Sequence, residues 1–113
     1  MIFHILQRAD WEAALQQGRY LPASLQTEGF IHCSTEAQLS GTLARFFAGQ
    51  SGLVRLTIDE QRLAAPLQWE HPSDDRRDLV FPHVYGPLNL DAVVEVSELS
   101  PAAGPPASQS TSE

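Results

Sequence analysis

Three histidines, His4, His32 and His83, stand far apart in the sequence, each inside an apolar run: Ile2-Phe3-His4-Ile5, Phe30-Ile31-His32-Cys33 and Phe81-Pro82-His83-Val84. Imidazole donates, accepts or changes charge near neutral pH. Three rings brought together by the fold would therefore move protons or orient the hydroxyls of a ligand. Ser34 and Thr35 follow His32 with hydroxyls, Glu70 offers a carboxylate, and Tyr20 and Tyr85 offer aromatic faces with a polar tip. The bland competitor is a histidine that packs in a strand and hydrogen-bonds the backbone. His71, between Glu70 and Pro72, reads as a surface residue. No pair has local ligand spacing such as His-x-x-x-His, so no metal is expected. Gly-rich phosphate loops, Walker-type motifs and a Gly-x-Ser-x-Gly elbow are absent.

The elements that must position these groups follow from hydrophobic periodicity. Residues 2 to 7 alternate as a strand, with Ile2, His4 and Leu6 on one face. Asp10 as N-cap, Trp11, Ala14 and Leu15 at helical spacing, and Gly18 as terminator predict a helix over 11–17. Residues 20 to 28, containing Pro22, read as a loop. A strand over 30–33 would put Phe30, His32 and Ser34 on one face and Ile31 and Cys33 on the other, which makes Cys33 an inert buried thiol. Thr35-Glu36-Ala37-Gln38 matches a capping box, and Leu39, Leu43, Phe46 and Phe47 predict a helix over 36–48 with those residues in the core. Strands are expected over 53–58, 67–70, 79–81 with a break at Pro82, and 93–97. Helical turns are expected over 59–63 and 89–92, and Gly86-Pro87 marks a turn. Trp69 and Glu70 would face opposite sides of their strand, and His83 would share a face with Phe81 and Tyr85. The sum is an α+β domain: a small mixed sheet with two main helices.

Composition bounds the function. The chain has 113 residues, 42% of them hydrophobic, enough for one core. From Ser100 onward it turns to Ser, Pro, Ala, Gly, Gln and Thr, so residues 1–99 are expected to form a single domain and 100–113 a disordered tail. One cysteine excludes an intramolecular disulfide and points to a reducing cytoplasm. The amino terminus is interrupted too soon by Gln7, Arg8 and Asp10 for a signal peptide, and no run approaches a membrane span. A net charge of −7 argues against nucleic acid as a partner.

Beyond the individual residues, several blocks resemble a known family. Ile2-Phe3-His4-Ile5, Trp11, Gly18-Arg19-Tyr20, Gly29-Phe30-Ile31-His32-Cys33-Ser34, Gln38, Phe46-Phe47, Leu67-Gln68-Trp69-Glu70 and Phe81-Pro82-His83-Val84-Tyr85-Gly86-Pro87 together resemble the domain of unknown function 952 family. The blocks span the expected folded part. The resemblance implies kinship of fold with the ADP-ribosyltransferase superfamily, whose members bind NAD in the cleft of a split, mixed β-sheet. On that implication His4 would bond the nicotinamide ribose, with His32, Ser34 and Thr35 supporting the sugar and Tyr20 and Tyr85 stacking on a planar ring. Glu70 or His83 would face the anomeric carbon, in the place where many transferases carry a glutamate. The expected ligand is therefore NAD, as substrate, or a related nucleotide. The rival expectation is a non-catalytic module on the same fold that recognises a small ligand or a protein.

Overall fold

The computed structural model describes residues 1–72, 76 and 78–99. The tail expected over 100–113 lies outside the described residues. Among the described residues there are eight strands and three helices: β1 (Ile2–Gln7), α1 (Arg8–Gln17), β2 (Arg19–Tyr20), α2 (Ser24–Thr27), β3 (Ile31–His32), α3 (Leu39–Phe46), β4 (Leu53–Ile58), β5 (Leu67–Glu70), β6 (Phe81–Val84), β7 (Leu88–Asn89) and β8 (Val93–Glu98). Short 3₁₀ turns cover Glu36–Gln38, Glu60–Arg62 and Leu90–Ala92. No helix among the described residues is long and apolar enough to cross a membrane.

The strands form two three-stranded sheets, in the orders β1-β4-β8 and β3-β6-β5, and a small β2-β7 ribbon. Every pairing is antiparallel. The mixed sheet expected from the sequence is thus replaced by several antiparallel ones, because the connections carry each strand back beside an oppositely directed neighbour. The two larger sheets meet at a single bridge, in which Phe3 and Ser34 exchange both backbone hydrogen bonds at 2.8 Å.

Alternation explains the core. Ile2, Leu6, Val54, Leu56 and Ile58 lie on one face of the first sheet and pack with Trp11 and Ala14 of α1 and with Tyr20, Ile31, Cys33, Val84, Leu88 and Ala92. Val54, Leu56 and Ile58 are fully buried on the central strand, where truncation of such a side chain to alanine costs about 2–5 kcal/mol. The strand expected over 53–58 and that over 67–70 have the observed bounds.

Three departures have physical causes. First, α1 starts at Arg8 rather than after Asp10, because β1 runs straight into it and the Gly52 carbonyl accepts the Arg8 N–H at 2.8 Å, replacing a side-chain cap. Second, β6 continues through Pro82. Proline lacks only the N–H that would answer Cys33, whose own N–H reaches the Pro82 carbonyl at 3.1 Å. The β3–β6 ladder therefore stops at His32–His83, and the chain crosses to β1 at Ser34. Third, the loop expected over 20–28 contains α2 and is preceded by β2, elements of four and two residues that are too short to leave a periodic signal. In α3 the Gln38 side chain accepts the Thr35 N–H at 2.9 Å as the capping pattern predicts, but Phe46, expected in the core, is 58% exposed. Its ring instead meets the guanidinium groups of Arg45 and Arg76.

Candidate functional site

The register of the second sheet places side chains of chosen type on one face. His32 stands opposite His83, which stands opposite Gln68, and Glu70 stands opposite Phe81. Directly opposed residues in an antiparallel pair point the same way, and so do residues two apart. One face thus carries His32, Gln68, Glu70, Phe81, His83 and Tyr85, while Ile31, Leu67, Trp69, Pro82 and Val84 occupy the other. Phe30 joins the first face: its ring stacks on His83 with centroids 4.0 Å apart and an interplanar angle of 18°, and tilts against His32 at 4.7 Å and Tyr85 at 5.2 Å. The His32 and His83 rings meet edge to face at 5.5 Å.

Within this face one carboxylate oxygen organises two donors. Glu70 Oε1 accepts from His83 Nδ1–H at 2.7 Å and from the Tyr85 hydroxyl at 2.6 Å. The Tyr85 bond, followed by the His83 bond, holds the Glu70 carboxyl below its ordinary range, and the same contact pushes the Tyr85 phenol up. With Nδ1 donating to Glu70, a neutral His83 leaves Nε2 as its acceptor. That nitrogen has no hydrogen-bond partner among the described residues. The His83 side chain is itself nearly buried, 7% exposed, with the Phe30 ring stacked on it and the Glu70 carboxylate at Nδ1. A second carboxylate–imidazole pair lies beside the first: His32 Nε2 is 3.0 Å from Glu28 Oε2, and both side chains are about half exposed.

His4 is placed differently from the other two rings. Continuing the ladder beyond the Phe3–Ser34 bridge would set Ile5 opposite His32; instead the His4 side chain donates from Nδ1 to the His32 carbonyl at 2.6 Å. A carbonyl only accepts, so Nδ1 carries the proton and Nε2 accepts from the Tyr20 hydroxyl at 2.9 Å. Burial, the largest cause, lowers the His4 pKa to about 4, so the ring is neutral at physiological pH. Burial also pushes the Tyr20 phenol upward. His4 and Tyr20 thus pin β3 against β1 from behind the aromatic face.

The remaining residues singled out in the sequence divide accordingly. Ser34 does not share the exposed face of His32: it is 4% exposed, and its hydroxyl is paired with that of Thr42 in α3 at 2.9 Å, because the chain changes sheet between the two residues. Thr35 caps the helical segment that follows it. Cys33 is buried and its thiol is pushed up to about 12 by desolvation, as expected of an inert thiol. His71 bonds the Leu79 carbonyl at the surface. Glu70, His83 and Tyr85 come together through the Glu70 carboxylate, with the His32 ring beside that of His83. Phe30, Glu28 and Gln68 were not foreseen as site residues. The alternation of Phe30 with His32 was a usable signal for the first, whereas Glu28 precedes the strand and carries no pattern that ties it to His32. Among the described residues no group of three or more His, Cys, Asp or Glu is arranged to hold a metal ion.

The match to a family model for proteins of unknown function, DUF952, runs over residues 5–96 and includes every residue of this face. The chain belongs to the DUF952 family. Another protein to which it is similar is CC0527 of Caulobacter crescentus, whose crystal structure is 38% identical over 88% of this chain and 85% of that one, with a TM-score of 0.77. The solution structure of the same protein is 39% identical over 88% and 84%, with a TM-score of 0.74. Comparison with curated proteins gave no match. The fold is therefore shared with a relative solved both in the crystal and in solution, and the Glu70–His83–Tyr85 arrangement lies inside residues 5–96.

Proposed function

We propose that the domain binds NAD or a related nucleotide on the aromatic face of the β3-β6-β5 sheet, and that Glu70 and His83 act there as an acid–base pair in N-glycosidic cleavage or ADP-ribosyl transfer. The observation that carries this reading is the shared Glu70 oxygen, at 2.7 Å from His83 Nδ1 and 2.6 Å from the Tyr85 hydroxyl. A carboxylate on Nδ1 fixes the tautomer, orients the ring and stabilises the imidazolium that forms when Nε2 takes a proton. Nε2 would take that proton from water or from an acceptor hydroxyl as its oxygen bonds to the anomeric carbon, and the ionised Glu70 favours the positive charge developing on the sugar. Phe30, Phe81 and Tyr85 supply ring faces suited to a planar base. The seam between two sheets at β1 and β3 accords with the split sheet of the ADP-ribosyltransferase-like fold, which is a resemblance of architecture alone. In this reading His4, Tyr20, Ser34 and Thr35 act on the ligand indirectly, by fixing the strand that carries His32.

One observation favours the second reading, a recognition module without turnover. The face is partly exposed, with His32 and Gln68 reaching solvent, and two surface hollows, of about 400 and 350 Å³, lie elsewhere: one beside Gly18, Arg19, Ala64, Ala65, Pro87 and Asn89, the other between α1 and Tyr20–Ala23. Such a face recognises a ring without excluding water, which chemistry on a glycosidic bond benefits from. Thermal unfolding of the chain with NAD, ADP-ribose and AMP separates the two. At a ligand concentration about 100-fold above Kd, a ligand confined to the folded state adds roughly 2.7 kcal/mol, a rise of about 10 °C in Tm for a domain of this size. The rise should vanish in His83→Asn. Release of nicotinamide or adenine on incubation supports the enzyme, stabilisation without release supports the module, and no stabilisation by any of the three contradicts both.

A further inference from the structure

We infer that His32, held by Glu28, is the proton donor to the leaving group, and that the face is therefore equipped to cleave N-glycosides whose base leaves only when protonated, such as a purine. This rests on the Glu70–His83 pair acting as the base. The two carboxylate–imidazole pairs are separate in origin, one from β5 and β6 and the other from β3 and the turn before it, yet their rings lie 5.5 Å apart and both touch Phe30. A single imidazole suffices where the leaving group is a pyridinium, because nicotinamide departs neutral with the electron pair of the broken bond. A neutral purine departs as an anion unless a proton reaches its ring nitrogen as the bond breaks. A second imidazole within one ring's width of the first supplies that need, and a reaction on a pyridinium would leave it idle.

The step balances without a further reagent. His83 Nε2 accepts a proton from water while the water oxygen bonds to the anomeric carbon. The C–N bond breaks, its electron pair passes to the base nitrogen, and His32 protonates the base. Water is added across one bond, nothing is oxidised or reduced, and proton exchange with solvent resets both rings. Glu28 occupies His32 Nε2 at 3.0 Å, which leaves Nδ1, without a partner among the described residues, to face the ligand. The charged and titratable groups around His32 are Glu28 before β3, His83 on β6 with Glu70 behind it, and His4 on the His32 carbonyl.

NAD and AMP as probes distinguish the outcomes, since NAD carries one bond of each kind and AMP only the purine bond. The full chain is incubated with each, and released adenine and nicotinamide are separated by chromatography across pH 5–9. The inference predicts adenine release by the wild type with a bell-shaped pH profile. His32→Asn should lower it about 100-fold and remove the alkaline limb, a loss clearly larger than any it causes in nicotinamide release. Glu28→Gln, at an exposed position, should give a smaller loss, and the circular dichroism of both variants should match the wild type. Nicotinamide release alone, indifferent to His32, overturns this inference while leaving the acid–base role of His83 in place. Binding of AMP and NAD without release of either base overturns it and leaves the recognition module, and absence of binding removes both.

Discussion

At the residue scale the molecule uses its histidines in two ways that the sequence does not distinguish. His4 and His83 both sit in apolar strands and both donate from Nδ1, but the acceptors differ. A backbone carbonyl makes His4 a neutral strut, whereas a carboxylate makes His83 a ring that can accept charge. The strut has a thermodynamic signature. The folded pKa of His4 is about 4 and its unfolded value 6.5, so as pH falls below 6.5 the unfolded chain binds a proton that the folded one refuses. Stability is then complete above about 6.5, falls between 6.5 and 4, and levels off below 4, with a loss of at most about 3 kcal/mol. Urea unfolding at pH 7 and pH 4.5 should show this loss in the wild type and a clearly smaller one in His4→Gln. Equal losses in the two proteins would mean that His4 does not titrate differently on folding. Glu70 contributes in the same sense but lower, since its pKa is depressed and its contribution is lost only as pH falls below 4.5.

At the element scale, most of the long pieces were legible in the residues and most of the short ones were not. The strands over 2–7, 53–58 and 67–70 and the helix after Thr35 follow from periodicity of two or of 3.6 over four or more residues, or from a capping pair. The two-residue β2, β3 and β7 depend on partners rather than on their own pattern, and Pro82 was misread as a strand breaker because its missing donor falls where the β3 ladder already ends. The faces of β5 and β6 were legible as alternations, which put Phe81, His83 and Tyr85 on one side and Glu70 opposite Trp69, while Glu70 was singled out through the family resemblance. The change of sheet at Ser34 was not legible, which is why Ser34 could not be placed. The junction of β6 and β7 is tightly constrained. Gly86 has φ of 155°, and a Cβ there would lie 2.9 Å from that of Ala65. Gly86→Ala should therefore cost about 1–3 kcal/mol, read as a lower urea midpoint, and Ala65→Gly in the same chain should recover part of it. A neutral Gly86→Ala would show that this approach does not limit the turn.

At the scale of the whole molecule, two antiparallel sheets share one bridge, and the side chain of His4 replaces the backbone bond that would have extended it. The first sheet and α1 hold the larger share of the core, while the ring-bearing face of the second is graded, with His32 and Gln68 exposed, Phe30, Phe81 and Tyr85 half-buried and His83 buried. That division lets a domain of about a hundred residues keep a packed interior and still bring an exposed His32 beside the half-buried Phe30 and Tyr85. A nucleotide bound on this face is the central expectation. The direct measurement is the ¹⁵N and ¹³C chemical-shift map of the labelled chain titrated with NAD and AMP. The predicted result is saturable shifts confined to Phe30, His32, Gln68, Glu70, Phe81, His83 and Tyr85, with the His83 Nδ1–H still donating to Glu70. Shifts gathered around Arg19, Ala65 and Asn89 instead, or none at millimolar ligand, would contradict it.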